Sequence, residues 1–148
     1  MSLSTLDQYL AAARSSLVRL EPADAYAATQ RGALLVDIRP EFQRRRDGEV
    51  PDAIIVERNH LEWRLHPESA ARIPEAASAD VQWVVLCDEG YASSLAAAVL
   101  QSLGLRRATD VVGGLRAWRA AGLPVRPPGE VSAPRLAPEP GSAGKSAG

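Results

Sequence analysis

The sequence predicts an α/β fold with a central, mainly parallel sheet flanked by helices. Segments typical of strands alternate with segments typical of helices along the chain. The strand-like segments are nearly continuous apolar runs, which indicates strands that are covered on both faces. The length of 148 residues fits one domain with a sizeable core.

Two helices are predicted before the first buried strand. Ser4 and Asp7 have the spacing of a capping box and begin an amphipathic helix within residues 1–17. Pro22 stands in the first turn of the second helix, and Gly32 lies just past its end.

The remaining elements follow from apolar runs and their stop signals. The predicted strands are a short one at 17–20 and stronger ones at 33–38, 53–56, 82–87 and 108–113. The predicted helices cover residues 40–46, a short stretch near 60–65, 91–104 and 114–124. The basic run at 44–46 is expected to form a solvated face of its helix.

The composition changes after Val125, and the rest of the chain is rich in Pro, Gly, Ala and Ser. Such a segment has little to bury, so we expect a disordered tail over residues 126–148. The predicted organisation is therefore an N-terminal helix (1–17), a domain (18–125) and this tail.

The net charge and the cysteine content restrict the partners and cofactors that the protein is expected to have. A net charge of -1 argues against a nucleic-acid partner, and no apolar run approaches the length of a membrane span. The start of the chain lacks the features of a signal peptide, so we expect a cytoplasmic protein. A single cysteine excludes an internal disulfide, and with two histidines it offers a poor zinc site, so no metal and no cofactor are expected.

The single cysteine, Cys87, stands where a predicted strand passes into a tight loop and then a helix. Backbone N–H groups and the helix dipole favour an anion at such a point, and the thiolate is the nucleophilic form of cysteine. Gly90 supplies the backbone freedom of the loop, and Ser93 or Ser94 is expected to cap the helix. The alternative is a buried structural cysteine, the commoner case for a lone cysteine at a strand end.

Four stretches, in order, resemble the family of rhodanese-like sulfurtransferases and their non-catalytic relatives. They cover roughly residues 18 to 125, with their spacing intact. The four stretches are "LLVDIRPEFQ", through Asp37, Arg39 and Phe42; "GEVPDAIIV", through Gly48, Pro51 and Ala53; "VVLCDEGYASSLAAAVLQSLG"; and "VVGGLRAWRAAGLPV". The resemblance implies a rhodanese-like three-layer α/β domain, in which we expect Asp37 to accept backbone hydrogen bonds or to pair with Arg39 and hold the scaffold.

The resemblance implies that Cys87 accepts a sulfane sulfur as a persulfide. A thiol or cyanide would then take the sulfur, so the implied partners are a sulfane-sulfur donor and such an acceptor, with a protein partner as a further possibility. The loop from Cys87 to Ala92 has the length typical of sulfurtransferases, whereas related phosphatases use a longer loop with arginine at the position of Ser93. The substrate-binding residues expected from the loop are Asp88, Glu89, Gly90, Tyr91, Ala92 and Ser93.

The loop departs from the family pattern in its charge. Active members commonly carry arginine at the position of Ala92, and this loop instead carries the acids Asp88 and Glu89, which disfavour an anionic donor. Arg58 and Arg64 follow a strand that ends on the same rim and are candidates to supply a positive charge, although surface arginines are the commoner reading. Outside the loop, Glu49 stands where the family often has histidine.

Three functions remain open at this point. The first is a sulfurtransferase that handles thiosulfate poorly, because Ala92 replaces the arginine, and that takes sulfur from a protein or low-molecular-weight persulfide. The second is a non-catalytic binding or regulatory module with the same fold, which Ala92 and the acidic pair favour. The third is a redox sensor whose Cys87 is resolved by an external thiol.

Overall fold

Four parallel strands form the centre of the protein, in the spatial order β2-β1-β3-β4. The computed structural model describes residues 3–137. The strands are β1 (Leu34–Asp37), β2 (Ile54–Ile55), β3 (Trp83–Leu86) and β4 (Thr109–Asp110). The predicted α/β class with a parallel sheet is confirmed. The last strand is shorter than predicted, and the strand expected at 17–20 is reduced to one parallel bridge between Leu20 and Val111.

Six helices surround this sheet in the described part of the chain. They are α1 (Thr5–Arg14), α2 (Pro22–Gln30), α3 (Glu41–Asp47), α4 (Leu61–Leu65), which follows a 3₁₀ turn at Arg58–His60, α5 (Ala92–Ser102) and α6 (Gly114–Ala120). Two apolar clusters lie on opposite faces of the sheet, one with α4 and α5 and the other with α2 and α6. The arrangement is the expected three-layer sandwich. None of the helices within residues 3–137 combines the length and the apolar character needed to cross a membrane.

The central strand β3 sets the orientation of the cysteine that follows it. Successive side chains of a strand point to opposite faces, and β3 is buried on both. Trp83 and Val85 belong to the cluster that contains α5, and Val84 and Leu86 belong to the other. Cys87 continues the alternation and lies on the α5 side. The strand therefore directs the sulfur toward the start of α5.

Helix α1 begins as predicted, with the Ser4 side chain accepting the Asp7 N–H at 3.1 Å. It rests against α5, yet none of its residues is buried. Leu6 and Tyr9 are both exposed, so the apolar side of this helix is not covered by the rest of the chain that the structure describes. The helix is therefore held to the domain by few apolar contacts.

A buried ion pair anchors the carboxyl end of β1. The Arg39 guanidinium donates to Asp37 Oδ2 at 2.8 Å and to the Gly48 carbonyl at 2.8 Å, and neither charged side chain is exposed. Asp37 also accepts the backbone N–H of Arg39 at 2.9 Å. These contacts agree with the scaffold role expected of the pair. They fix the turn between β1 and α3, which borders the site described below.

The basic run of α3 is only partly solvated, contrary to expectation. Arg45 and Arg46 lie on the surface, but Arg44 is buried and donates to Glu49 at 2.6 Å. Burial raises the pKa of Glu49, but hydrogen bonds from Arg44 and Ser132 outweigh it and the net pKa is below the usual value. The residue that replaces the family's histidine is thus a structural carboxylate.

The first part of the expected disordered tail is seated on the domain. The Ser132 backbone and hydroxyl donate to Glu49, the Arg135 N–H donates to the Ile55 carbonyl at 2.8 Å, and the Arg135 side chain pairs with Glu75 at 2.7 Å. The composition predicted no apolar burial, but this segment is held by polar contacts that composition does not reveal. Residues 138–148 of the expected tail lie outside the described residues.

The buried pair of β1 makes a test of stability. We expect Asp37→Asn to lower the free energy of unfolding by about 3–5 kcal/mol, because it leaves the buried Arg39 charge without its carboxylate. Glu41→Gln is the matched control, since its pair with Arg45 is exposed and should contribute less than about 1 kcal/mol. Urea unfolding of both variants measures the difference. Equal losses would show that the buried pair adds nothing to the scaffold.

The ion pair that attaches Arg135 to the domain should break as the pH becomes acidic. The hydrogen bond from Arg135 holds the pKa of Glu75 below its ordinary value of 4.5. The ion pair is therefore fully formed above pH 4.5 and is lost as the pH falls through the lower pKa of the folded state. We expect the Arg135 amide resonance to shift over that acidic range in NMR spectra. Glu75→Gln should abolish the response, and a response that persists in this variant would contradict the assignment to Glu75.

Candidate active site

The sulfur of Cys87 accepts hydrogen bonds from two backbone N–H groups of its own loop. Cys87 is 6% exposed, and its Sγ accepts the Gly90 N–H at 3.1 Å and the Ser93 N–H at 3.3 Å. Sγ also lies 3.2 Å from the Ser93 hydroxyl oxygen, to which a thiol can donate. The loop predicted to surround the cysteine with N–H groups does so at two positions. These donors can stabilise negative charge on the sulfur.

The loop is packed tightly against the start of α6. Gly90 has φ of 88°, and a Cβ at this position would lie 2.7 Å from the Gly113 backbone nitrogen. The first N–H groups of α6 bind the loop, because Leu115 donates to the Cys87 carbonyl at 2.9 Å and Arg116 donates to the Asp88 carbonyl at 3.2 Å. The predicted need for glycine at position 90 thus has a steric cause.

The two serines after the loop do not cap α5 as expected. The helix begins at Ala92 without a side-chain cap, and both serines lie buried inside its first turn. The Ser93 hydroxyl donates to Asp110 Oδ2 at 2.7 Å, and the Ser94 hydroxyl donates to the Gly90 carbonyl at 2.9 Å. Their hydroxyl groups serve a polar cluster behind the loop rather than the helix end.

Asp110 is the centre of this cluster and was not identified from the sequence. It lies fully buried on β4, and Arg19 donates to its two oxygens at 2.9 and 3.1 Å. Through Ser93, the carboxylate is connected to the sulfur of Cys87. A signal was present, because a carboxylate within a predicted buried strand requires a charged or hydrogen-bonding partner.

Two arginines bind the Gly90 carbonyl from behind the loop. Arg14 donates through Nη2 at 2.9 Å, and Arg19 donates through Nη2 at 2.9 Å. Arg14 also donates to the Ser94 hydroxyl oxygen at 2.9 Å, and its guanidinium lies 5.5 Å from the centre of the Tyr91 ring. Nothing in the sequence motifs pointed to either arginine, since both lie more than 70 positions from Gly90.

The acidic pair of the loop shares one arginine. Asp88 Oδ2 accepts from Arg116 Nε at 3.1 Å, and Glu89 Oε1 lies 3.6 Å from Arg116 Nη2. The Glu89 side chain is half exposed, whereas that of Asp88 is largely covered. The repulsion that these acids exert on an anion is therefore reduced by Arg116 but is not cancelled.

A cavity of about 440 Å³ opens beside the cysteine. It is lined by Ile38, Arg39, Pro40, Gln43, Arg58, Cys87, Asp88, Glu89, Tyr91 and Ala92. Of the two predicted cations, Arg58 lines the cavity, where it also pairs with Glu62 at 2.9 Å. Arg64 does not line it, because this side chain is buried and donates to the Arg135 carbonyl at 3.2 Å. The structure thus does not bring Arg64 to the cavity with Arg58.

Comparisons with known proteins agree with this architecture. A family model described as a rhodanese-like domain matches residues 21–121. Thiosulfate sulfurtransferase GlpE of Pseudomonas savastanoi pv. phaseolicola is 34% identical over 102 residues, which span 69% of this chain and 87% of that protein. The corresponding enzyme of Pseudomonas fluorescens is 32% identical over 108 residues, which span 72% of this chain and 88% of that protein.

Solved structures share the fold. A protein of unknown function from Rhodopseudomonas palustris CGA009, described as a possible tyrosine phosphatase, superposes with a TM-score of 0.75 at 33% identity over 85% of this chain and 97% of that one. The polysulfide-sulfur transferase homodimer of Wolinella succinogenes superposes with a TM-score of 0.67 at 25% identity, over 82% and 87% of the two chains. With the family match and the cysteine loop in place, the chain belongs to the rhodanese-like domain family.

Proposed function

We propose that the protein is a sulfurtransferase in which Cys87 carries a sulfane sulfur as a persulfide. The observation that supports this most directly is the position of Sγ, which follows a buried strand and accepts two N–H groups of its own loop. A structural cysteine would need neither the donors nor the adjoining cavity. The names of the related sulfurtransferases support the same class of reaction.

The proposed reaction has two substitutions at sulfur. In the first, the Cys87 thiolate attacks the sulfane sulfur of a donor, an S–S bond forms, and the donor's leaving group departs with the electron pair of the broken bond. In the second, an acceptor thiolate or cyanide attacks the outer sulfur. The Sγ–S bond breaks and its electron pair returns to Cys87 as thiolate, so no external oxidant or reductant is needed.

The loop stabilises the thiolate that attacks in the first step and the thiolate that leaves in the second. Negative charge is present on Sγ before the first step and again after the second, and the Gly90 and Ser93 N–H groups are already oriented toward it. The Ser93 hydroxyl is bound to Asp110 and offers an oxygen lone pair to the thiol at rest. The site is therefore organised before a donor arrives.

The charges around the cavity favour a donor with little negative charge of its own. Arg39 is paired with Asp37, although its Nη1 has no hydrogen-bond partner among the described residues, and Arg58 is paired with Glu62. Asp88 and Glu89 border the same cavity, with Arg116 between them and Arg46 at 4.0 Å from Asp88 Oδ2. A persulfide thus meets less repulsion than the doubly charged thiosulfate ion. We infer that a low-molecular-weight or protein persulfide is the better donor.

Phosphate-ester hydrolysis has weaker support. One structural neighbour is described as a possible tyrosine phosphatase. In this chain the sixth position after the cysteine is Ser93, whose hydroxyl is bound to Asp110, so the loop supplies no arginine for a phosphate group. The remaining alternative is a binding or regulatory module without transfer activity. A measurement of sulfur loading on Cys87 distinguishes it from a sulfurtransferase.

Intact-mass spectrometry tests the proposal directly. The reduced protein should gain the mass of one sulfur atom after exposure to a persulfide donor, gain less from thiosulfate, and lose it again to cyanide. Cys87→Ser is the control and should gain nothing, because the proposed carrier atom is absent. No gain in the unmodified protein with either donor would exclude a sulfur carrier and leave the binding module.

The identity of residue 92 should control use of thiosulfate. Ala92 is exposed and lines the cavity, so an arginine at this position can extend over the sulfur without displacing the core. We expect Ala92→Arg to raise the rate of loading from thiosulfate about tenfold through charge-assisted hydrogen bonds to the anion.

Ala92→Gln is the matched control, because it adds length and hydrogen bonding without charge. Loading from a persulfide should change less than loading from thiosulfate in both variants. If Ala92→Gln were as effective as Ala92→Arg, positive charge at this position would not be what limits thiosulfate.

A further inference from the structure

The Gly90 carbonyl is the most heavily bound group of the cysteine loop. It accepts hydrogen bonds from Arg14, Arg19 and Ser94, each at 2.9 Å. The two arginines lie in the segment that precedes residues 21–121, the part of the chain matched by the family model. The loop is therefore held in part by side chains outside the matched residues.

The geometry of the peptide unit lets this contact fix the direction of the Tyr91 N–H, which lies in the chain between the two N–H donors that bind Sγ. The Gly90 carbonyl and the Tyr91 N–H belong to one planar trans peptide, so the two groups point in opposite directions. When the arginines hold the carbonyl behind the loop, the Tyr91 N–H is directed away from them. Gly90 has a φ of 88° and no side chain, so this peptide would otherwise rotate with little resistance.

The same side chains change the charge behind the sulfur. Arg14 and Arg19 contribute two positive charges and the buried Asp110 contributes one negative charge, which leaves one net positive charge in this cluster. The cluster is connected to Cys87 through Ser93. The loop itself has no arginine at position 92, and the positive charges of Arg14 and Arg19 instead contact its Gly90 carbonyl, while the group joined to the sulfur through Ser93 is the Asp110 carboxylate.

We propose that Arg14 and Arg19 are positioning residues of the cysteine loop. Helix α1 thereby contributes to the geometry of the site through Arg14. The inference rests on the proposed role of Cys87. Arg14 ends α1, a helix that buries none of its own residues, and it connects that helix to Gly90, Ser94 and the Tyr91 ring. Docking of α1 and the geometry of the loop are coupled through this one side chain.

Arg14 is the better of the two residues to substitute. Arg19 neutralises the buried Asp110, so its removal leaves an uncompensated carboxylate and endangers the fold. Among residues 3–137, no carboxylate pairs with Arg14, whose partners are a carbonyl, a hydroxyl and an aromatic ring. Its substitution therefore reports on the loop with little effect on the core.

The experiment compares Arg14→Gln, Arg14→Lys and the control Arg106→Gln in the full chain. Within residues 3–137 the exposed Arg106 pairs only with the exposed Asp80, and it precedes β4, at the opposite end of the parallel sheet from the loop that follows β3. Three quantities are measured for each variant: the rate of sulfur loading from a persulfide donor, the pH dependence of Cys87 alkylation by iodoacetamide, and the temperature of unfolding.

We expect Arg14→Gln to slow loading about three- to tenfold and to move the alkylation profile to higher pH, because a charged donor behind the loop is lost. Arg14→Lys should restore part of both, and the unfolding temperature should match that of Arg106→Gln. Loading and a pH profile equal to those of the control would overturn the proposal. Slower loading with an unchanged pH profile and no rescue by lysine would also overturn it, since that is the signature of a purely structural residue.

These outcomes remain separate from the proposed function itself. Failure of the unmodified protein to gain sulfur would refute sulfur transfer. The alkylation profiles would still be measurable on Cys87 in that case, and they would decide whether Arg14 acts on the cysteine at all.

Discussion

The cysteine loop directs N–H groups at the sulfur, so its carbonyl groups face away from the sulfur and need hydrogen-bond donors there. Helix α6, two arginines and Ser94 supply those donors. Buried backbone groups are seldom left without hydrogen bonds. Here the Cys87 and Asp88 carbonyls accept from the first N–H groups of α6, and the Gly90 carbonyl accepts from Arg14, Arg19 and Ser94. These outer contacts hold the loop in the conformation that directs the Gly90 and Ser93 N–H groups at the sulfur.

This arrangement separates charge across the loop. The front, where the cavity opens, carries Asp88 and Glu89 with one arginine between them, while the rear carries two arginines around Asp110. The Gly90 and Ser93 N–H groups stabilise a thiolate, whereas negative charge at the entrance disfavours an anionic ligand. A site built in this way can favour the nucleophile and discriminate against some of its substrates at the same time.

The sequence predicted the parts of the site that are local in the chain. The apolar run of β3, the position of Cys87 and the requirement for Gly90 all follow from residues within one strand, loop and helix. The polar cluster behind the loop could not be predicted, because Arg14, Arg19 and Asp110 come from distant segments that only the folded chain brings together. The same limit applies to Arg64, since the segment that it binds had been expected to be disordered.

The two segments outside the family match also form hydrogen bonds with the outer strands of the sheet. Beyond β4, Leu20 donates to the Asp110 carbonyl and accepts the Val112 N–H, and beyond β2, the Arg135 N–H donates to the Ile55 carbonyl. Each outer strand thus has at least one of its outward backbone groups bound by chain that lies outside residues 21–121. Unprotected edges of this kind recruit strands from other molecules. A protein trimmed to residues 21–121 would lose these contacts and would expose more of the backbone at both edges of its sheet.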